Sequence, residues 1–233
     1  MTLIVAIPVK DGVIFGSDTQ VTTGPVRASA TKILRLNDHV IWGASGELAL
    51  IQRVAESLEG FPNRGQPLTT VRDMLAQFVQ KAVQELLNLD FRTQFNRIPN
   101  DLLDLHPGDF LFVECRDKPR ILHILQNGTP EWIEGRFAAT GNGDLFAHAL
   151  LQKYAGVKLI RKHAKLLAYK VIEEAIQVGA YGLGPPIDIW TVTPDGVEQV
   201  TNQEIAALED AAHLLRDREV EMLTSDSTLG EKE

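Results

Sequence analysis

Thr2 is the residue whose position in the chain points most directly to chemistry. It follows Met1 and stands immediately before the apolar run LIVAIP. If methionine aminopeptidase removes Met1, Thr2 carries a free α-amine beside its own hydroxyl, so one residue supplies both a nucleophile and a base. The ordinary pKa of an α-amine is about 8, which leaves a useful fraction neutral at neutral pH. The sequence therefore predicts an N-terminal threonine that attacks a carbonyl carbon.

Lys32 and Asp18 are the candidates for the charges that such a nucleophile needs. A cation near the α-amine lowers the pKa of the amine, and a carboxylate near the cation holds it in place. Strand alternation in KILRL places Lys32 on the face of Leu34 and Leu36. A lysine on an apolar face is costly unless it is paired, and Asp18, at the end of VIFGSD, is the expected partner. The alternative is an ordinary edge lysine and an ordinary turn aspartate.

The segment WGASGELAL is a candidate for binding the oxyanion of an acyl-transfer intermediate. It places small residues between a predicted strand and a predicted helix, and the N–H groups at a helix N-terminus carry positive dipole character. Gly46 is the candidate donor, with Ser45 beside it in the substrate site, because glycine lets a substrate backbone approach closely. The alternative role of Ser45 is an ordinary helix N-cap, and the two interpretations are compatible.

The elements that would position these residues follow from hydrophobic periodicity. Turn signals separate four apolar runs and predict antiparallel strands at 3–8, 13–18, 31–36 and 40–45, with a polar loop at 19–30. Helical spacing follows at 46–61 and again from Thr69 or Thr70. The remaining predicted elements are strands at 109–115, 120–126 and 136–141, helices at 144–154 and 163–179, strands at 187–192 and 197–200, and a last helix at about 202–223.

This order of elements indicates the fold class. Strand blocks alternate with helix pairs, rather than single strands with single helices, which argues against a doubly wound parallel sheet. The pattern suits antiparallel sheets stacked together and covered by helices, which is an α+β fold. We expect one domain over residues 1–223, with the polar segment 224–233 as a disordered tail. Residues 88–108 are interpreted as a long connection or a short irregular insertion.

Composition argues against several classes of function. A net charge of −8 over 233 residues is unlike the basic footprint of a nucleic-acid-binding protein, and LIRKHAK (159–165) is interpreted as the solvated start of a helix. The single cysteine, Cys115, cannot form an internal disulfide, so it is expected to pack as a small hydrophobe in a cytoplasmic protein. No apolar run reaches the roughly 18–20 residues of a membrane span. No histidine or cysteine pair has metal-ligand spacing, so neither a metal nor another cofactor is expected.

The chain resembles the proteasome β-subunits and the proteasome-like bacterial heat-shock protease, which are N-terminal nucleophile hydrolases. The likeness is strongest over 2–58 and consists of Thr2 opening a strand, DGVIFGSD with Asp18, TKILRL with Lys32 and WGASGE with Gly46. It implies the family's four-layer αββα sandwich of two antiparallel sheets covered by helices. It also implies that Thr2 is the nucleophile, that Asp18 and Lys32 are its charge pair, and that Gly46 donates to the oxyanion.

The resemblance also implies substrate contacts and partners. Thr22, in SDTQVT, would lie where the family pairs the substrate backbone as an added strand, and Asn142, in TGNGD, stands where the family carries an active-site serine. The implied substrate is a peptide or an unfolded protein. The implied assembly is a homo-oligomeric ring or stack, with an ATP-dependent unfoldase as a further partner.

The segment QVGAYGLGPPIDIW departs from the family pattern, because the aspartate and the serine that orient the α-amine in the family do not stand at the matching places. Three interpretations therefore stay open. The first is a threonine peptidase or amidohydrolase. The second is a transpeptidase or peptide ligase that passes the acyl group from Thr2 to an amine. The third is a catalytically weak scaffold subunit, which the missing residues support and the set of Thr2, Asp18 and Lys32 opposes.

Overall fold

Two antiparallel five-stranded sheets form the centre of the fold. The structure is a computed structural model that describes residues 2–23, 26–91, 108–179 and 182–225. Its strands are β1 (Leu3–Val9), β2 (Gly12–Asp18), β3 (Gln20–Thr23), β4 (Val26–Ser29), β5 (Ile33–Arg35), β6 (Val40–Gly46), β7 (Gly108–Cys115), β8 (Pro119–Ile124), β9 (Pro130–Ile133), β10 (Ala138–Gly141), β11 (Ile187–Thr193) and β12 (Gly196–Gln199). The first sheet has the order β10-β1-β2-β11-β12, the second has the order β5-β6-β7-β8-β9, and β3 pairs with β4.

Five α-helices are described, and they cover the two sheets. They are α1 (Leu48–Glu59), α2 (Leu68–Glu85), α3 (Asp144–Gln152), α4 (Arg161–Gln177) and α5 (Asn202–Thr224). A π-helical segment, Leu86–Phe91, continues α2. The helices form where apolar residues recur at three- and four-residue spacing, as when α1 buries Leu50, Val54 and Leu58 on one face. None of the described helices is long and apolar enough to cross a bilayer.

Three apolar clusters define four layers. Between the sheets lie residues such as Ile4, Phe15 and Leu111. The outer face of the first sheet packs on α3, α4 and α5 through a second cluster. The outer face of the second sheet packs on α1 and α2 through a third. The predicted α+β sandwich of two antiparallel sheets covered by helices is therefore confirmed, because alternate residues of each strand face different layers.

Three strands were not predicted. The polar loop predicted at 19–30 contains the hairpin of β3 and β4, because Val21, Thr22 and Thr23 are β-branched residues that favour extended backbone. The strand β9 is four residues long, begins with Pro130 and pairs with β8 alone in the described sheet. Proline is tolerated at the first residue of an edge strand, where the missing N–H costs no hydrogen bond within the sheet.

The remaining boundaries agree with prediction to within a few residues. The basic stretch LIRKHAK does begin a helix, since α4 starts at Arg161. Cys115 packs between the sheets as a small hydrophobe, and burial raises the pKa of its thiol. Within the predicted tail, Thr224 ends α5, and residues 226–233 lie outside the described residues. Of the predicted irregular stretch, 88–91 is π-helical and 92–107 lies outside the described residues.

Glu114 fixes the start of α2 from the neighbouring sheet. Its side chain is fully buried, and its carboxylate accepts hydrogen bonds from the Leu68 N–H at 3.3 Å and from Arg116 Nε at 2.7 Å. The N-cap of α2 is Pro67, which provides no side-chain hydrogen bond. The Glu114 carboxylate therefore supplies the acceptor and the negative charge that a helix N-terminus favours.

We expect Glu114→Ala to lower the free energy of unfolding by about 2–4 kcal/mol, because it removes the acceptor of Leu68 and Arg116 in a buried site. Urea denaturation measures the loss. The matched control is Asp73→Ala, which removes an exposed carboxylate of the same helix that contacts Arg72 and should change the free energy by less than about 0.5 kcal/mol. Equal losses in the two variants would contradict the role given to Glu114.

Candidate active site

The Asp18 carboxylate lies at the centre of the candidate site. Asp18 is the last residue of β2 and is 0% exposed. Its Oδ1 accepts a hydrogen bond from the Leu3 N–H at 2.9 Å and another from Lys32 Nζ at 2.7 Å. Its Oδ2 accepts a third from the Gly184 N–H at 3.3 Å. One buried carboxylate therefore joins the residue after Thr2, the lysine and the segment before β11.

Lys32 lies just before β5, which is shorter than predicted and begins at Ile33. Of the two leucines expected on the face of Lys32, Leu36 is 1% exposed but Leu34 is 36% exposed, so only part of that face is buried. The Lys32 side chain is nevertheless only 7% exposed, because it packs against Asp18. Burial lowers the pKa of the Lys32 ammonium, and the charge and hydrogen bond of Asp18 oppose that shift without cancelling it.

Thr2 is buried immediately before β1, the strand that lies between β10 and β2 in the first sheet. Its neighbour Leu3 pairs with Gly141 in β10, and the Leu3 N–H binds Asp18 at the end of β2. Gly141 has a φ of 104°, and a Cβ added there would lie 2.0 Å from the Thr2 carbonyl oxygen. The close approach of β10 to Thr2 therefore requires glycine at position 141. These contacts hold the carboxyl side of Thr2 in place.

Gly46 and Ser45 end β6 in the other sheet. Gly46 is exposed, has a φ of 129° and pairs with Gly108. The N-cap of α1 is Glu47, so the alternative role of Ser45 as the N-cap is wrong. The Ser45 hydroxyl instead makes a 2.9 Å hydrogen bond to Thr140 in β10. Because β6 continues to Gly46, the N-cap lies at Glu47, two residues after Ser45.

The two other predicted substrate contacts lie at the same end of the sandwich. Thr22 belongs to β3, and its backbone pairs with Arg27 of β4. Asn142 is exposed in the turn between β10 and α3. Because Leu3 pairs with Gly141, the next residues of the two antiparallel strands are Thr2 and Asn142. The ladder ends at the Leu3–Gly141 pair, so Asn142 begins the turn directly after the residue that faces Leu3.

The segment Gly182–Pro186 contributes contacts that the sequence did not reveal. The Thr19 N–H and Oγ1 both donate to the Pro186 carbonyl, at 3.1 and 2.8 Å. Gln20 Nε2 donates to the Gly182 carbonyl at 3.2 Å. Together with the Gly184 N–H, these bonds hold the segment against the end of β2. Most of the donors and acceptors are backbone groups, which every residue type carries, so no motif marks them.

No group of three or more metal-ligating side chains occurs within the described ranges. The polar groups at this end of the sandwich are instead a buried ammonium–carboxylate pair, hydroxyl groups and backbone amides. These groups can stabilise negative charge on a reacting oxygen and can shift the pKa of a nearby amine.

Comparison with known proteins places these residues in a family. The family model described as "Proteasome subunit" matches residues 2–189. Among curated relatives, "Proteasome subunit beta 1" of Pyrococcus horikoshii is 27% identical over 205 residues, covering 85% of this chain and 94% of the relative. "Proteasome subunit beta" of Nanoarchaeum equitans is 27% identical over 203 residues, covering 86% and 97%. "Proteasome subunit beta 1" of Pyrobaculum arsenaticum is 28% identical over 218 residues, covering 86% and 94%.

Proposed function

Because this chain belongs to the proteasome subunit family, we propose that it is a threonine-type peptidase or amidohydrolase whose nucleophile is Thr2 after removal of Met1. The observation that carries the proposal is that one Asp18 oxygen accepts both the N–H of Leu3, the residue after Thr2, and the ammonium of Lys32. A buried charge pair within two hydrogen bonds of the Thr2–Leu3 peptide is costly to maintain for stability alone.

In the proposed reaction, the Thr2 hydroxyl attacks a peptide carbonyl carbon while the neutral α-amine accepts the hydroxyl proton. The oxyanion of the tetrahedral intermediate accepts a hydrogen bond from the Gly46 N–H. The proton then passes to the leaving amine as the carbon–nitrogen bond breaks, which leaves an ester on Thr2. Water adds to this ester with the α-amine as base, and the carboxylic acid product leaves with the hydroxyl restored.

Lys32 and Asp18 tune the base in this scheme. The positive charge of Lys32 lowers the pKa of the nearby α-amine, so that more of the amine is neutral at neutral pH. The Asp18 carboxylate holds Lys32 in position at 2.7 Å. Because the Lys32 side chain is buried, its charge is weakly screened by solvent and salt.

The substrate and partners of the proposed enzyme follow from the same family assignment. A peptide or unfolded protein would pair with the backbone at Thr22 as an added strand, with Ser45 and Asn142 close to the scissile bond. We propose a homo-oligomeric ring or stack as the assembled form, served by an ATP-dependent unfoldase. The cytoplasmic location stays a prediction.

We expect the peptidase activity to fall as the pH rises through the lowered pKa of Lys32, at a pH below the ordinary lysine value of 10.5. The ammonium is the active form, because its charge also stabilises the negative charge that develops on the Thr2 hydroxyl oxygen during attack. Burial favours loss of the proton from Lys32. Lys32→Arg should move this alkaline limb upward, because a guanidinium stays protonated throughout the range. The pH profile of kcat/KM for a fluorogenic peptide measures both effects. An unchanged limb in Lys32→Arg would mean that another group titrates there.

The proposed function is tested by the intact mass of the purified protein before and after treatment with a peptide β-lactone. We expect a mass that lacks one methionine residue and then gains one inhibitor acyl group. Retained Met1 with no adduct would refute the peptidase and favour the scaffold subunit. Adding an excess of an amine acceptor during turnover separates the other alternative, since a ligase would release the acyl group as a new amide rather than as an acid.

A further inference from the structure

Ser45 and Thr140 form a hydrogen bond between the two sheets. Their hydroxyl oxygens are 2.9 Å apart, and the residues are 6% and 2% exposed. Ser45 belongs to β6 of the second sheet and Thr140 to β10 of the first. The layer between the sheets is otherwise built around an apolar cluster. A hydrogen bond in such a layer is electrostatically stronger than one in water, and breaking it leaves a buried polar group without its partner.

The Thr140 end of this bond is fixed to the strand that carries Thr2. Thr140 pairs with Ile4, and Gly141 pairs with Leu3. The Gly141 backbone lies so close to Thr2 that an added Cβ would be 2.0 Å from the Thr2 carbonyl oxygen. A displacement of Thr140 toward or away from the second sheet is therefore transmitted to the backbone of Thr2.

The Ser45 end of the bond is fixed to the oxyanion candidate. Ser45 immediately precedes Gly46, and the two residues pair with Asp109 and Gly108 of β7. The Ser45 Cβ would also be 3.2 Å from a Cβ added at Gly141, so β6 and β10 touch at this level. The hydroxyl bond and this backbone contact meet at the point where the two sheets approach the candidate site.

We propose that Ser45 and Thr140 are positioning residues that set the distance between the Thr2 nucleophile and the Gly46 N–H. This inference rests on the proposed function. Thr2 and Gly46 belong to different sheets, so neither sheet's ladder of hydrogen bonds fixes the gap between them. The hydrogen bond between Ser45 and Thr140 does fix this gap, because Ser45 precedes Gly46 and Thr140 pairs with Ile4 of β1. An error of about 1 Å in such a gap costs on the order of 100-fold in rate.

The test compares four variants in the hydrolysis of a fluorogenic peptide. Ser45→Ala and Thr140→Val each remove one hydroxyl and should lower kcat by roughly 10- to 100-fold, with KM changed by less than about threefold. Thr140→Ser keeps the hydroxyl and should retain most of kcat. The double variant should lose little more than either single variant, because both remove the same bond. Near-UV circular dichroism confirms that each variant is folded.

Ser17→Ala is the matched control. Ser17 pairs with Ile4 from the other side, in β2, and is as deeply buried as Thr140. Its hydroxyl has no hydrogen-bond partner among the described residues. The control should therefore keep the wild-type kcat, which separates loss of the cross-sheet bond from loss of any buried hydroxyl beside Ile4.

The outcomes distinguish this inference from the proposed function. A wild-type protein that neither hydrolyses the peptide nor reacts with the β-lactone overturns both. An active wild type with Ser45→Ala and Thr140→Val within about twofold of its kcat overturns the positioning role alone. An equal loss of kcat in Ser17→Ala overturns it as well. Selective loss in the two bonded positions, with recovery in Thr140→Ser, supports it.

Discussion

Thr2→Ala is expected to abolish adduct formation with a peptide β-lactone and to lower peptide hydrolysis by about 10⁴-fold or more. The substitution removes the hydroxyl that attacks the carbonyl and leaves the α-amine of residue 2 in place. Intact mass measures the adduct, and a fluorogenic peptide measures the rate. An adduct that persists in the variant would refute Thr2 as the nucleophile.

Thr2→Ser provides the control for that experiment. A serine at position 2 keeps the hydroxyl and is small enough for removal of Met1, so adduct formation should continue, although at a lower rate. The stability of Thr2→Ala should change by about 1 kcal/mol, because a methyl and a hydroxyl group are lost from one buried position. A large loss of stability would show that Thr2 acts mainly in packing.

Asp18→Asn is expected to lower the free energy of unfolding by about 3–5 kcal/mol, because it removes the buried carboxylate that pairs with the Lys32 ammonium at 2.7 Å. Peptide hydrolysis should fall by roughly 10²–10⁴-fold, since Lys32 is no longer held by the carboxylate that also binds the Leu3 N–H. Urea denaturation and a fluorogenic peptide measure the two effects. If Asp18→Asn keeps the wild-type free energy of unfolding and the wild-type rate of peptide hydrolysis, the carboxylate has neither the structural nor the catalytic role.

Two further variants separate stability from catalysis at this pair. Lys32→Met leaves the buried carboxylate with its N–H donors from Leu3 and Gly184, and it should lose activity more than stability. Combining it with Asp18→Asn should recover part of the stability and none of the activity, because both charges of the buried pair are then removed together. Asp11→Asn is the matched control, since Asp11 pairs with Arg161 at 2.9 Å where both side chains are about half exposed, and its loss should cost less than about 1 kcal/mol.

The segment before β11 differs from the family in its side chains but contacts the candidate site through its backbone. The segment QVGAYGLGPPIDIW has neither the family aspartate nor the family serine at the matching places, and this difference supports the scaffold interpretation. The same segment, however, approaches Asp18 with its backbone, through the Gly184 N–H at 3.3 Å. A backbone donor can stabilise a carboxylate as a side chain does. The segment therefore contributes to the Asp18 site through its backbone, whereas the side chains that orient the α-amine in the family are missing from it.

Local pattern determined most of the secondary structure. The strands β1, β2 and β6 and the five described helices were predictable, because each carries a run of apolar residues at strand or helix period. The strands β3, β4 and β9 were not predictable in the same way. They have four residues each, and their polar, glycine or proline neighbours resemble those of a loop.

By itself, the sequence determined the layered α+β fold, the position of Thr2 immediately before the first strand and the pairing of Lys32 with Asp18. Each follows from residue type and short-range order, since a buried lysine and a buried aspartate need each other. The tertiary structure alone decided the bond from Gly184 to Asp18 and the bond from Ser45 to Thr140, which join residues 166 and 95 positions apart. Backbone amides have no residue type, and a hydroxyl can bond to many partners, so their choice depends on how the two sheets meet.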